Sequence, residues 1–577
     1  MFSKALRRLG AFASLLYLSG CATYGDGLNQ TLQQVETGQY EQASQTLDKA
    51  LEPEGDDKLL YHLELGTIQH LAGNYEASNA ELEKAHEHAD TMNTDSAGDY
   101  LAAAMANPRH TTYRGNDVER VYINYYKALN YLMLAQGAQS ASERSGHLES
   151  AQVEIRRLDN TLSSISFEEG NYEQVKEEEE KTFAKLMDLF SKFRGNWLDE
   201  DWLVFREDAY ARYLAGVMYE KAGNFDDARI AYQKAAKTYE SGYDEQYDLG
   251  GDMIQRAWFD TIRMMRRGGG WDGEWQRFAE DKLSGGWRER LRNQDPEAAQ
   301  LVVIQHLGLV PQRREMNLHL TANPDQKALM LEPVLTGTER EKRDQRSWFF
   351  LLYGDKGVMD MLDGFQEGGL YGVAETVSRK TVTLGPAWDM AAELRIPQAI
   401  GSSGIRVTVP YYAPLRDRAG SSQLAVNGEV VNEFRRAESM YQLFLQNQLL
   451  NAGSDLNSAM ARATLKNVLA FEGGNAAGGG LGGMLAKAAA SGTSAAETRN
   501  WLTLPYGIRV SRVPLEPGEY QVGINTTFGS GGVTQSHRQV ELEPGEVRVL
   551  TERTIQGAGG PGGPQEKGLK TATAPAD

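Results

Sequence analysis

Cysteine is almost absent from this sequence, and so are long apolar runs. Cys21 is the single cysteine among 577 residues, so no disulfide can form within the chain. Beyond the N-terminus, no window approaches the roughly 18 consecutive apolar residues of a membrane-spanning helix. The sequence therefore predicts neither a disulfide framework nor a transmembrane helix.

Positive charge is also scarce. The chain has 60 Lys and Arg residues against 79 Asp and Glu residues, a formal net charge of −19. Proteins that bind phosphate backbones draw most of their affinity from cationic side chains. We therefore expect no nucleic-acid partner, and we interpret the acidic run at 177–180 as a solvated helix face.

Motifs for catalysis and metal binding are missing too. The sequence has no HExxH, no P-loop, no calcium loop and no GxGxxG between a strand and a helix. His86 and His88 would point away from each other on a helix, whereas zinc prefers the i, i+4 spacing. His306 and His319 lie in strand-like segments and are interpreted as structural. We expect no catalytic residue, no metal ligand and no cofactor, and a protein that is not an enzyme.

The first 20 residues have the three parts of a secretory signal. Lys4, Arg7 and Arg8 give a positive start, and residues 9–18 form a short apolar run. Small residues at 19–20 complete the pattern of a cleaved signal peptide.

Leu18-Ser19-Gly20-Cys21 resembles the lipobox of bacterial lipoproteins. The resemblance implies cleavage before Cys21, lipid attachment to its sulfur and acylation of the new N-terminus. Several acyl chains together anchor a protein stably. Ala22 stands where an aspartate would retain a Gram-negative lipoprotein at the inner membrane, which implies the outer membrane, with the protein facing the periplasm. The alternative is an ordinary secreted protein with a chance or buried cysteine.

Three segments of the first half share one spacing. A glycine is followed by an aromatic residue, a small residue and two apolar positions at fixed offsets in TGQYEQASQTLDKA, AGNYEASNAELEKA and AGNFDDARIAYQKA. The glycine ends one helix, the aromatic opens the next, and the small residue lets the two approach closely. Gly38 and Gly73 lie 35 residues apart. The segments resemble the tetratricopeptide repeat, whose period is about 34 residues; the alternative is helical hairpins that share the spacing by accident.

Further positions fit the same repeat. Gly66 and Gly216 each lie seven residues before a turn glycine, in the small position of a first helix, and residues 120–158 look like a degenerate unit. Repeats of this kind stack into a superhelix whose concave face binds a protein partner. Aromatic and arginine side chains usually anchor such interfaces, so Tyr122, Tyr125 and Arg212 are candidate partner contacts.

The second half favours strands. Residues 301–311, 314–320 and 404–414 are rich in β-branched residues or alternate in polarity. Asn427-Gly428 lies between apolar pairs, which predicts a tight hairpin turn.

A helical pattern returns at 433–450 and again in LNSAMARATLKNVLAFEGG, which predicts a pair of helices. The Gly/Ala-rich NAAGGGLGGMLAKAAASGTSAAE follows. We interpret it as a flexible or weakly helical insert; close helix packing or contact with a membrane surface is the alternative.

From Trp501 the sequence predicts a small β-module. LEPGEYQVGI at 515–524 is echoed by LEPGEVRVL at 542–550, with proline and glycine turning into a strand. The stretch is similar to the immunoglobulin-like β-modules of envelope proteins. The tail GAGGPGGPQEKGLKTATAPAD has no apolar periodicity and is predicted to be disordered.

The predicted fold class is α+β, with N-terminal TPR-like α-helical repeats followed by a β-rich C-terminal half that contains an inserted helical pair. The predicted divisions are a signal peptide (1–20), a lipidated tether (21–26), a repeat domain (27–250), a helical, Gly-rich connector (251–295), a β-rich domain (296–432), the helical pair with its insert (433–500), the β-module (501–555) and the tail (556–577).

The layout of lipobox, helical repeats, "LVP" strand, central helices and WLTLPYGIRVSRVPLEPGEY resembles a poorly characterised Gram-negative family of tetratricopeptide-repeat-containing outer-membrane lipoproteins. The likeness extends over most of the chain and brings no known activity. It implies a setting in envelope biogenesis, near activators of peptidoglycan synthases.

The expected function is a non-enzymatic scaffold, lipid-anchored at Cys21, that binds protein partners of the cell envelope through its repeats. Regulation of peptidoglycan synthases or hydrolases, and assembly of an export or appendage machine, are the candidate processes. The alternative is a ligand-binding or hydrolytic protein with a site between the helical and β-rich halves.

Overall fold

The computed structural model describes residues 24–91, 108, 111–164, 189–190, 208–353, 379–401, 403–415, 418–471 and 495–556. The architecture is mixed helix and sheet. Predictions about Cys21, the acidic run at 177–180, the Gly/Ala-rich insert before residue 495 and the tail after residue 556 concern residues outside this set.

Helices dominate the N-terminal half, and most of them pair into hairpins. They are α1 Tyr24–Gly27, α2 Asn29–Glu36, α3 Tyr40–Ala50, α4 Lys58–Leu71, α5 Tyr75–Thr91, α6 Asp117–Gly137, α7 Ala141–Ser164, α8 Ala209–Lys221 and α9 Phe225–Thr238.

The turn glycines behave as their spacing predicts. Gly73 and Gly223 have φ of 78° and 79°, in the left-handed region, and α5 and α9 each begin two residues later at the aromatic residue. A Cβ on Gly66 would lie 2.7 Å from Leu82, so α4 and α5 approach too closely there for any larger residue. The turn and the close helix crossing are therefore confirmed; assignment to tetratricopeptide repeats stays a prediction.

Ala228→Leu tests the close packing of these hairpins. Ala228 has no exposed surface in α9, so the larger side chain should overpack the crossing and lower the free energy of unfolding by roughly 1–3 kcal/mol. Urea titration of the purified variant measures the loss. Lys234→Leu, at an exposed position of the same helix, is the control and should change stability by less than about 0.5 kcal/mol. Equal stability of both variants would place Ala228 outside a helix contact.

After α9, Tyr239–Tyr243 is a π-helical turn and Asp244–Gln246 a short helical turn. The helices that lead into the C-terminal half and lie within it are α10 Asp252–Gly268, α11 Glu274–Lys282, α12 Gly285–Asn293, α13 Glu339–Tyr353, α14 Ala387–Glu393, α15 Ile396–Ile400 and α16 Met440–Phe471.

Twelve strands are described in the same half. They are β1 Ala299–Leu307, β2 Arg313–Asn323, β3 Ala328–Val334, β4 Lys380–Thr383, β5 Ile405–Tyr412, β6 Ala419–Val426, β7 Glu429–Glu433, β8 Arg435–Glu438, β9 Gly507–Leu515, β10 Gly518–Phe528, β11 Val533–Leu542 and β12 Val547–Thr554.

The strands form three four-stranded sheets. Sheet I has the order β12-β1-β9-β8, sheet II has β11-β10-β6-β7, and sheet III has β4-β3-β2-β5. Leu301 and Val303 of β1 pack with Val522 of sheet II in one apolar core. Val302 and Ile304, on the opposite face of β1, join the core that the helices build. Because β1 is buried on both faces, its centre at 301–304 is an unbroken apolar run, LVVI.

The strands of the predicted β-module belong to sheets I and II. β1 pairs in parallel with β12 and antiparallel with β9, while β10 pairs with β6. The stretch predicted as a module at 501–555 is therefore not a separate unit, because its strands complete sheets begun within 296–432. That predicted β-rich domain also contains α13, α14 and α15.

The predicted helical pair is a single helix. Residues 435–438 form β8, and α16 runs without a break from Met440 to Phe471. Ala452 and Leu456 are buried, so packing holds the Gly453 region helical at a propensity cost of about 1 kcal/mol for the glycine. Local composition favoured a turn there, and tertiary contacts overrode it.

The hairpin at Asn427-Gly428 is confirmed. Both residues have positive φ, 51° and 86°, and they connect β6 to β7. Two positive φ values in a two-residue loop match the twist of the flanking strands.

The structure describes the last three residues of the predicted lipidated tether, 24–26. Tyr24–Gly27 is a helical turn, and Tyr24 packs against the large apolar core. Its hydroxyl donates to Glu64 at 3.4 Å. These residues therefore belong to the folded body.

Candidate functional site

An irregular segment, residues 495–506, lies against the helical half; we call it the strap. It contains neither helix nor strand, and Asn500, Trp501, Leu502, Thr503 and Leu504 are all buried. A buried segment without regular structure must find partners for its backbone groups elsewhere.

Two carboxylates of the helical half accept the strap's amide protons. Glu64 on α4 accepts from the N–H of Leu502 at 2.7 Å and of Thr503 at 3.0 Å. Glu119 on α6 accepts from the N–H of Trp501 at 2.8 Å. Main-chain groups of an irregular segment are thus recognised by side chains of two different hairpins, in the manner of a bound peptide.

Burial controls the charge of these two groups. It raises the pKa of Glu64 to about 7, although hydrogen bonds from Thr503 and Leu502 oppose the shift. Burial also raises the pKa of Glu119, again against the strap's amide. The strap therefore helps to keep both carboxylates ionised in a site that disfavours charge.

Arg499 and Trp501 fix the strap by their side chains. Arg499 donates to Asp57 at 2.8 Å and to the carbonyl oxygens of Pro108 and Thr111 at 2.6 Å and 2.9 Å. The indole N–H of Trp501 donates to the Thr67 hydroxyl at 2.9 Å. These contacts join the strap to α4 and to the segment that precedes α6.

A second buried contact joins the helices to sheet I through charges. Arg512 on β9 donates to both oxygens of Glu220 on α8, each at 2.7 Å. Arg263 on α10 donates to Glu220 at 2.6 Å, and Asp260 lies 3.5 Å from Arg512. Burial would raise the pKa of Glu220, but Arg263 and Arg512 outweigh it and lower the pKa to about 2. Each charge is buried and paired, so the cluster is structural.

A pair of carboxyl groups, Asp208 and Glu438, lies between the two halves. Asp208 caps α8 by accepting from the N–H of Ala211 at 2.8 Å, and Tyr122 donates to it at 3.2 Å. Glu438, at the end of β8, accepts from Tyr243. Burial raises the pKa of both carboxyls, and the neighbouring Asp208 charge raises that of Glu438 further.

The free edge of sheet I is also covered by the helices. Gln136 on α6 donates to the Val549 carbonyl oxygen at 2.9 Å and accepts from the Val549 N–H at 2.8 Å. Lys221 on α8 donates to the Val547 carbonyl oxygen at 2.8 Å. Together with the strap, these contacts fill the inner face of the helical half, meaning the side of α4, α6 and α8 that meets sheet I.

The candidate partner contacts on first helices are wrong. Tyr122, Tyr125 and Arg212 are all buried, and the Tyr125 hydroxyl is 2.7 Å from the ring nitrogen Nε2 of His306 on β1. Tyr125 thus contacts the β-rich half of its own chain, whereas Tyr122 donates to Asp208. His306 is buried on β1, and burial lowers its pKa well below the usual value.

The predicted surface histidines lie on α5. His86 faces Asp90 at 3.4 Å, while His88 stacks on His62 with ring centroids 5.5 Å apart. His319 on β2 is 2.9 Å from the Ser403 carbonyl oxygen. Over the described ranges, no three His, Cys, Asp or Glu side chains are placed to hold a metal ion.

Sequence reasoning missed the residues that join the two halves. Glu64 stands within the apolar-rich KLLYHLELGTIQHL, whereas Glu119 lies in the polar first turn of α6, where it forms a capping box with Asn116. A carboxylate inside an apolar helical stretch is a signal for a buried partner. The partner itself lies 382 positions from Glu119 along the chain, and no local pattern identifies it.

Comparison with protein-family models and with curated proteins finds no match for this chain. Within the parts of the chain that the structure describes, no helix has the length and apolar character needed to cross a bilayer.

Proposed function

We propose that the protein is a non-enzymatic envelope scaffold, anchored at the outer membrane by lipid on Cys21 and facing the periplasm. Its TPR-like repeats hold the β-rich half of the same chain on their inner face and offer their outer helices to protein partners. The observation that carries the proposal is the filled inner face, where Glu64, Glu119 and Glu220 bind the strap and β9.

The filled inner face changes how a partner would bind. A partner groove on α4, α6 and α8 would compete with contacts made by the chain itself. Exposed apolar side chains occur instead on the second helices, at Val153 on α7 and Ile230 on α9. These outer positions fit a scaffold that works in peptidoglycan synthase or hydrolase regulation, or in assembly of an export or appendage machine.

Crosslinking in cells tests the proposal through the anchor. Cys21→Ser is expected to abolish incorporation of labelled palmitate, to release the protein from outer-membrane fractions and to remove the partners captured by the acylated parent. Mass spectrometry of the captured proteins and membrane fractionation give the readouts. A Cys21→Ser protein that still incorporates palmitate would contradict the lipid attachment.

The enzymatic alternative has one observation in its favour. Asp208 and Glu438 lie between the two halves, where a hydrolytic site would be expected, and burial raises the pKa of both carboxyls. Tyrosine hydroxyls and backbone amides already occupy their oxygens, which supports a structural role. Loss of the cellular phenotype in Glu438→Gln, with stability and partner capture unchanged, would favour the alternative.

A further inference from the structure

Tyr24, the first residue that the structure describes, contacts the strap. The N–H of Tyr24 lies 3.5 Å from the Thr498 hydroxyl, and the Tyr24 hydroxyl donates to Glu64 at 3.4 Å. Gln312 lies beside Gly25 and donates to Asn29 at 3.2 Å. The chain is therefore held to the folded body from Tyr24 onward.

The distance from this point to the lipid is short. Cys21 precedes Tyr24 by three residues, and a fully extended chain advances at most about 3.6 Å per residue. The two Cα atoms can therefore be no more than about 11 Å apart. Acyl chains on Cys21 enter the bilayer, so the body cannot stand away from the lipid surface at this point.

We propose that the strap end of the molecule, the surface formed by α1, the start of α2 and Gln312, lies directly against the lipid bilayer. This inference rests on the lipid attachment at Cys21 in the proposed function. It assigns the membrane-facing surface of the body and hence the orientation in which the scaffold presents itself to partners.

Sheet I shows which end points away. At the strap end, the Tyr506 N–H donates to the Leu307 carbonyl oxygen at 2.9 Å; at the other end of β1, the Gln300 N–H donates to Glu546 at 2.7 Å. The two contacts are separated by about 23 Å along the strand, at roughly 3.3 Å per residue. The turn between β11 and β12, which includes the exposed Glu543, therefore lies on the side away from the lipid.

Electrostatic attraction to anionic lipid does not account for the proposed contact between the body and the bilayer. Residues 24–36, YGDGLNQTLQQVE, contain no lysine or arginine, whereas anionic lipid surfaces attract basic segments. The occupant that fits is a surface of uncharged or zwitterionic headgroups, and the short tether is what holds the body on it. The contact should therefore withstand salt and depend on tether length.

Fluorescence quenching in vesicles tests the orientation. The acylated full chain, with a fluorophore on either Gln30→Cys or Glu543→Cys, is reconstituted into phosphatidylcholine and phosphatidylethanolamine vesicles that carry a quencher on the headgroup. Acylation blocks the sulfur of Cys21, so only the introduced cysteine is labelled. Quenching at position 30 should exceed that at position 543 several-fold, at low and at high salt. Equal quenching, or stronger quenching at 543, would overturn the proposal.

A longer tether provides the second measurement. A Gly/Ser linker of about 12 residues inserted before Tyr24 spans about 20 Å on average. The linker variant should keep its acyl chains and bind vesicles, while quenching at position 30 falls to the level at 543. Unchanged quenching at position 30 would contradict a tether-held contact. Absence of acyl chains in the intact mass would instead overturn the lipid attachment, and this inference with it.

Discussion

Arg512→Met is expected to lower the free energy of unfolding by about 3–5 kcal/mol, because it removes a buried cation that pairs with two buried carboxylates, Glu220 and Asp260. Glu220 loses two hydrogen bonds of 2.7 Å, and Asp260 loses a cation 3.5 Å away. Methionine fills part of the arginine's volume, so the loss reflects charge rather than a large cavity. Urea titration of the unacylated Cys21→Ser form gives the measurement.

Arg436→Met is the matched control for this variant. Arg436 lies on β8, the strand next to β9, and its side chain is 54% exposed. It pairs at 3.1 Å with Asp248, whose side chain is 78% exposed. Exposed ion pairs contribute about 0–1 kcal/mol, so the control should unfold close to the parent. Equal losses in the two variants would show that the Glu220 cluster contributes no more than a surface ion pair.

Acid should weaken the same cluster. Because the pKa of Glu220 in the folded protein is lowered from 4.5 to about 2, its contribution to stability is complete above pH 4.5 and is lost as the pH falls toward 2. Glu64 acts in the opposite sense. Because its pKa in the folded protein is raised from 4.5 to about 7, it lowers the free energy of unfolding as the pH rises from 4.5 to about 7. The urea midpoint of the parent should therefore fall more steeply below pH 4.5 than that of Arg512→Met.

Trp501→Ala is expected to cost about 3–5 kcal/mol, the usual loss for removing a buried aromatic side chain. Trp501 has no exposed surface and donates to Thr67. Loss of the indole should also loosen the strap, since its N–H donates to Thr67 and its ring packs in the apolar core. We expect a lower urea midpoint together with proteolytic cleavage within the strap under native conditions.

Trp271→Ala controls for the loss of a tryptophan alone. Trp271 is only half-buried, with Arg229 over its ring at 4.5 Å, so its removal should be far milder and leave the strap resistant to protease. A Trp501→Ala protein with the parent's midpoint and protease resistance would show that the strap does not join the two halves.

The local turns of the molecule could be predicted from the sequence. The left-handed glycines before α5 and α9 and the Asn427-Gly428 hairpin follow from steric limits on two or three residues. The β-branched residues at 301–311 likewise indicated a strand, and β1 lies there. In each of these cases the physical cause lies within the segment itself.

The contacts that join the helical half to the β-rich half could not be predicted from the sequence. Arg512 and Glu220 are 292 positions apart, and the apolar pattern of the strap gives no sign that it would lie on the face expected to bind a partner. Tyr122 and Tyr125 look the same in the sequence whether the chain or another protein covers them. Whether they are buried within the chain or exposed to a partner depends on the tertiary fold.

The amino-acid sequence alone thus indicated the helical hairpins and the strand-forming segments, and it predicts a lipid site at Cys21. Each of these depends on neighbouring residues. Only the tertiary structure decided that α16 is one helix, that β1 and β12 pair in parallel, and that the strap fills the inner face. Those outcomes depend on buried contacts between distant segments, whose energies exceed local preferences of about 1 kcal/mol per residue and leave no pattern in any one stretch.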